Sequence, residues 1–263
     1  MGEIELQRHG YNHMIVWLDQ NIASKDEYHN VKKVFTTTTN PESTLQTSIT
    51  DLDITNLICD EITQRDDRFL NVPFPFMLFD KPSQCLTCLR ENAGKKRIFF
   101  ITSSQLGKDI VKRILEEYPE IFQDNQGKFY EDSIYVFCGD AKYAAGWAID
   151  YLDQICIQVE NDDQKFLARL TRDIAKYLVS QGQQELSNDN VSAAQLALQY
   201  FTWAKQLYVQ ADKVRYAYRS DDPKNPLNVV IQLIIDTEQK IKQFQSSNIQ
   251  EGDRKSTRLN SSH

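Results

Sequence analysis

The sequence predicts an α/β protein: a five-stranded, doubly wound parallel sheet followed by an α-helical hairpin. Three observations carry this. Five short runs are continuously apolar, aromatic or β-branched, as strands buried on both faces require. Segments with apolar residues at helical spacing separate most of them. From Glu185 onward the composition turns rich in Gln, Ala and Tyr, and a 3.6-residue period continues without further strand-like runs.

The strand-like runs are Met14 to Leu18, Pro75 to Phe79, Arg97 to Thr102, Ser133 to Cys138 and Ile155 to Val159. Helical spacing follows the second in Cys85, Leu86 and Leu89, the third in Leu106, Ile110, Val111, Ile114 and Leu115, and the fifth in Phe166, Leu167, Leu170, Ile174, Tyr177 and Leu178. A short connector, Tyr143 to Tyr151, follows the fourth. The expected strand order is 2-1-3-4-5, the commonest for five parallel strands wound in this way. Residues 36–72 are too long for an ordinary connection and read as an insertion. Its first part, TTTTNPESTLQTS, has the composition of a solvated loop, and Ile54, Leu57, Ile58 and Ile62 are spaced for a short helix capped by Asp53. The α/β domain is therefore placed at 13–180 and the helical segment at 186–250. In the latter, Asn188 to Asn190 offer caps for one helix, and Asn225 with Pro226 opens a second.

Composition narrows the function classes. With 263 residues, 41% hydrophobic and 25% charged, the chain can bury a good-sized core. A net charge of −7 argues against nucleic acid, whose phosphates demand clustered Lys and Arg. No apolar run is long enough for a membrane span, and no signal peptide is evident, so a cytoplasmic location without membrane attachment is expected. Five cysteines at irregular spacing suit reduced, mostly buried thiols. Residues 253–263, DRKSTRLNSSH, are what a common short-read sequencing adapter encodes, so they read as a scar, with native sequence expected to continue beyond Gly252.

Candidate chemistry is sparse. Cys85-Leu-Thr-Cys88 opens a helix after a strand, where a redox CxxC would sit. A thioredoxin-type site also needs a proline facing it, and none occurs between Pro119 and Pro223, so two packed thiols are the expectation. Thr102-Ser103-Ser104-Gln-Leu-Gly107-Lys108 brings hydroxyls and free N–H groups to a helix start, a weak anion site. It departs from a P-loop at Thr102 and Asp109, so helix capping by Ser103 or Ser104 is the plainer reading. Asp19, Thr102, Ser103, Ser104, Asp140 and Glu160 would gather at the carboxyl edge of the sheet, where open α/β sheets bind small-molecule ligands. No cofactor is implied. His9, His13 and His29 share no helical face with other ligating groups, so no metal is expected either. Tyr200, Phe201, Trp203 and Tyr208 read as core at helical spacing.

The layout is flavodoxin-like or receiver-like, although receivers carry an Asp after the third strand and a Lys after the fifth, where this chain has Thr102 and Glu160. VWLD at Val16 to Asp19, FFITSSQLGKDIV at Phe99 to Val111 and SIYVFCG at Ser133 to Gly139, with Trp147 soon after, resemble the receiver-like or TIR-like N-terminal domain of large invertebrate multidomain proteins. In those proteins it precedes tetratricopeptide repeats of kinesin-light-chain type or an arginine mono-ADP-ribosyltransferase domain. The resemblance implies no site residues, and the transferase's own signature is absent. The helical segment is similar to the start of a tetratricopeptide array in Gly182, Ala194, Phe201 and Ala204. The expected function is a non-catalytic interaction or sensory module, the N-terminal part of a larger protein, with protein partners. Alternatives are the regulatory part of an arginine mono-ADP-ribosyltransferase, or a TIR-like NAD hydrolase, for which Glu116 and Glu117 sit too far along their helix. Apolar surface left bare on the helical pair would favour the interaction module or a truncated array.

Overall fold

A computed structural model describes residues 12–22, 24, 27–42, 74–215 and 224–260, with side chains as far as 246. The short helix expected in the insertion, together with His9 and Cys59, lies outside the described residues.

The chain divides into two compact units, residues 1–167 and 168–263. In the first, five strands form one parallel sheet: β1 (His13–Leu18), β2 (Phe76–Phe79), β3 (Arg97–Thr102), β4 (Ile134–Phe137) and β5 (Ile157–Glu160). Their order is β2-β1-β3-β4-β5, all parallel, as a flavodoxin-like fold has it. Every residue of β1, flanked by a strand on each side, is buried, which is why its run of apolar residues is unbroken. Leu18 of β1 is in register with Phe79 of β2 and Thr102 of β3, so these three strands end level.

Helices cover both faces. Met14, Val16 and Leu18 face a core shared with α2 (Pro82–Asn92), α3 (Ser104–Glu117) and α4 (Ala141–Ala148), which contribute Cys85, Leu89, Ile110, Ile114 and Trp147. Between them they point Ile15 and Trp17 the other way, as the alternation of a strand dictates. There Trp17 meets Phe35 of α1 (His29–Thr39) at 5.5 Å between ring centroids, and Phe166, in the first turn of α5 (Asp163–Leu186), at 6.3 Å. Phe166 also stacks on Phe137 at 4.7 Å. At the amino edge of the sheet, Arg97 lies over the Tyr130 ring at 4.1 Å and donates to the Asp132 carbonyl at 2.9 Å and to the Ser133 hydroxyl.

Helix α1 corrects the loop expected from Thr36. Thr36, Thr38 and Thr39 are buried residues of its last turn. The hydroxyls of Thr38 and Thr39 donate to the carbonyls of Val34 and Phe35 at 2.7 and 2.9 Å, which satisfies them without water and lets a threonine run end a helix. Cys156 is the other correction: it is exposed, because Ile155 and Ile157 take the inward positions beside it. Strand limits shift by one or two residues, β4 starting at Ile134 and β5 at Ile157.

The second unit is helical. It takes in α5 from Ala168, with α6 (Val191–Val214) and α7 (Pro226–Asn260), so the division falls earlier than the 180–186 read from composition. Two contacts tie α5 to α6. Arg172 pairs with Asp212 at 2.7 Å, and Gly182 lies against Phe201 so closely that a Cβ there would sit 2.5 Å from the ring. Tyr200, Phe201, Trp203 and Tyr208 are buried, as their spacing predicts. Asn190 caps α6 by accepting the Ala193 N–H at 2.9 Å, and Asn225 caps α7 by accepting the Leu227 N–H at 3.0 Å.

Candidate functional site

The carboxyl edge of the sheet gathers the six residues expected there. Asp19 follows β1, Thr102 ends β3, Ser103 and Ser104 start α3, Asp140 precedes α4 and Glu160 ends β5. The switch in winding direction falls between β1 and β3, beside Asp19 and Thr102.

Their polar atoms are largely committed to the fold itself. Asp19 is 1% exposed, and its carboxylate accepts the Asn21 N–H at 2.7 Å and the Tyr28 hydroxyl at 2.6 Å. Ser103 accepts the Leu106 N–H at 3.5 Å as the cap of α3, and Asp140 accepts the Tyr143 N–H at 3.0 Å as the cap of α4. Thr102 is buried, and its methyl group would lie 2.8 Å from a Cβ at Gly107. The glycine in the P-loop-like stretch thus lets α3 approach β3 and Trp147, and Lys108 and Asp109 beside it are exposed. Glu160 is half-buried; its backbone carbonyl accepts the Cys138 N–H at 3.1 Å, and its carboxylate makes no hydrogen bond or ion pair among the described residues.

Two residues that sequence reasoning did not place here complete the edge. Tyr28 holds the only positive φ among the described non-glycine residues, 59°, immediately before α1. That left-handed conformation is uncommon for a bulky side chain, and it coincides with a ring set against Trp17 and Phe137 and a hydroxyl on Asp19. Burial, then the hydrogen bond and charge of Asp19, push the Tyr28 hydroxyl above its ordinary range. Cys138, one residue past β4, is half-buried; burial pushes its thiol up, against a hydrogen bond from Ser104. No sequence pattern marks a positive φ, which is why Tyr28 was silent.

Chemically, the arrangement orders loops. Its capping carboxylates hold backbone N–H groups and Tyr28 rather than activating the hydroxyls or the thiol. Tyr28→Phe should therefore behave as a stability variant. Removing the hydroxyl leaves the buried Asp19 carboxylate with the Asn21 N–H alone, a loss of about 1–3 kcal/mol. A lowered urea midpoint checks this, and an unchanged midpoint would show that the hydroxyl contributes nothing to the fold.

The other candidates lie elsewhere. Cys85 and Cys88 are buried in the core on α2, and burial pushes the Cys85 thiol well up, away from the thiolate that redox exchange needs. Glu116 and Glu117 close α3 at the end opposite the sheet's carboxyl edge. Near them, an open hollow of about 580 Å³ is lined by Thr87, Arg90, Glu91, Glu117, Tyr118 and Glu120, with Arg90 stacked over Tyr118 at 4.5 Å. Among the described residues, no group of three ligating side chains could hold a metal ion, and no helix is long and apolar enough to cross a membrane.

No family model, no curated protein and no solved structure matches the chain.

Proposed function

We propose that this chain is a non-catalytic protein-interaction module whose helical unit is the docking element. The observation that carries the reading is apolar surface on α7 left facing solvent. Its inner face is packed, with Val230 1% exposed, whereas Ile231 is 37% and Ile235 41% exposed, one turn apart on one side of the helix. Val229, elsewhere on the same helix, is 48% exposed. Single exposed apolar residues are common on any protein, but two isoleucines stacked at i and i+4 form the start of a stripe that a second helix could cover. The edge of the sheet supports the same reading, since the Asp140 carboxylate caps a helix and the Asp19 carboxylate holds a loop.

Incorporating a photo-crosslinking phenylalanine at position 235, in cells that express the chain, tests this. A covalent adduct with a polypeptide is expected from position 235, and none from the exposed Lys205 of α6 used as a control. Equal, background-level adducts at both positions would overturn the reading.

A further inference from the structure

We propose that the solvent-facing side of α4 is a homodimer contact, on which two copies of the chain pack α4 against α4 in antiparallel orientation. This surface belongs to the first unit, so the inference stands apart from the α7 reading. Tyr143, Ile149 and Leu152 are more exposed than any other large apolar side chain among the described residues, and all three lie on α4 or in the short stretch that joins it to β5. The backbone stays helical through the 3-10 turn Ile149–Tyr151 that continues α4, with φ and ψ of −61° and −27° at Ile149 and −57° and −31° at Leu152. Lys142, Gly146, Ile149 and Asp153, all exposed, therefore follow one another along one side at spacings of four, three and four residues. Ala145 and Leu152, also exposed, border this line.

The line is its own complement when read in the opposite direction. A two-fold axis between Gly146 and Ile149 sets Ile149 of each copy opposite Gly146 of the other, and Lys142 opposite Asp153. A Cβ at Gly146 would meet nothing within 4 Å, so the glycine leaves an open notch for the isoleucine. Leu152 comes beside Ala145 and the aliphatic stem of Lys142, which covers the remaining apolar side chain of the line. Charge then fixes the direction. The side chains of Lys142, Asp150 and Asp153 form no hydrogen bond or ion pair among the described residues. All three also stand against the helix dipole, the cation in the first turn and the acids past the C-terminus, so α4 itself gains nothing from them. A parallel pair would set lysine against lysine and acid against acid. The antiparallel pair forms two ion pairs between Lys142 and Asp153, with Asp150 beside each.

A contact built on one short helix lies at the small end of specific interfaces, so the dimer is weak and fills only at high concentration. Sedimentation velocity of the full chain across a concentration series tests this. A reversible dimer of the 30.6 kDa chain is expected. Ile149→Glu puts a carboxylate into each notch, and Lys142→Asp and Asp153→Lys, each alone, set like charges opposite one another. Each of the three should weaken self-association about tenfold or more. Mixing the two charge variants, or combining both changes in one chain, should recover most of the loss. The three positions are exposed, so circular dichroism should show unaltered folding. Ile235→Glu, on α7, should leave the equilibrium unchanged. A chain that stays monomeric throughout, a dimer indifferent to Ile149→Glu and to both charge changes, or a dimer that Ile235→Glu dissolves overturns the proposal. Crosslinking from position 235 reads the α7 surface separately, so either proposal can fail while the other stands.

Discussion

Replacing Gly182 by Ala should lower the unfolding free energy of the protein, even though the same change stabilises an ordinary helix. Two effects compete. Inside a helix, Ala is favoured over Gly by up to about 1 kcal/mol. Against this, the new methyl would lie 2.5, 2.8 and 2.9 Å from Cε1, Cδ1 and Cζ of Phe201, closer than atoms can approach. The ring is fully buried and has no room to swing away, so α5 and α6 must part. Overpacking of this kind costs about 1–3 kcal/mol, and the upper end applies where a rigid ring faces helix backbone. The expected net loss is about 2 kcal/mol, seen as a lower urea midpoint by far-UV circular dichroism. Gly146→Ala is the control: its Cβ meets nothing within 4 Å in α4, so only the helix gain remains. Phe201→Leu should recover part of the loss in the Gly182→Ala background, giving a favourable coupling in a double-mutant cycle. If Gly182→Ala proves as stabilising as Gly146→Ala, the close approach of α5 and α6 is not real.

Acid should weaken the first unit earlier than its carboxylates alone explain, because of His13. This residue starts β1, is fully buried, and sits 4.8 Å from the Phe74 ring and 5.9 Å from the Phe99 ring. Burial, then the charges of Lys96 and Arg97, lower its pKa from 6.5 to about 3. The folded state thus keeps His13 neutral while the unfolded chain accepts a proton near pH 6.5. Stability is intact above that value and falls as the pH drops from 6.5 towards 3. Each unit of separation corresponds to 1.36 kcal/mol, so the loss reaches about 2–3 kcal/mol by pH 4.5. Urea midpoints at pH 7.5 and 4.5 measure it. The difference between the native chain and His13→Leu isolates the histidine from other titrating groups, and the variant should lose much less on acidification. Equal losses in both would show that the imidazole does not control the response.

The sheet was legible in the sequence because a parallel strand buried on both faces must be apolar throughout, and β1 and β3 are nearly so. The caps were legible for a similar reason: Ser103, Asn190 and Asn225 stand where a helix start needs a side-chain oxygen. Helix α1 was hidden because four consecutive threonines have low helix propensity, and only their hydroxyl bonds to the preceding turn reconcile them with burial. The division of the helical unit was hidden because one apolar period runs unbroken through α5, and periodicity alone does not say which neighbours a helix packs against. At the carboxyl edge, the sequence located the residues but not their state. Asp19 looks the same on paper whether it awaits a ligand or already holds Tyr28.

The strand order also bears on how the chain acquires its structure. None of the four ladders joins strands connected by a tight turn. β1, at the centre of the unit's hydrophobic core, must find β2 about sixty residues along the chain and β3 about eighty along, through the Ile15 to Phe76 and His13 to Arg97 alignments. Closing such loops costs entropy before any pairing returns it. The α6 and α7 pair needs no comparable closure, since its partners adjoin in the chain. The two units should thus differ in kinetic character, the helical one collapsing early and the sheet waiting on the long-range pairing of β1.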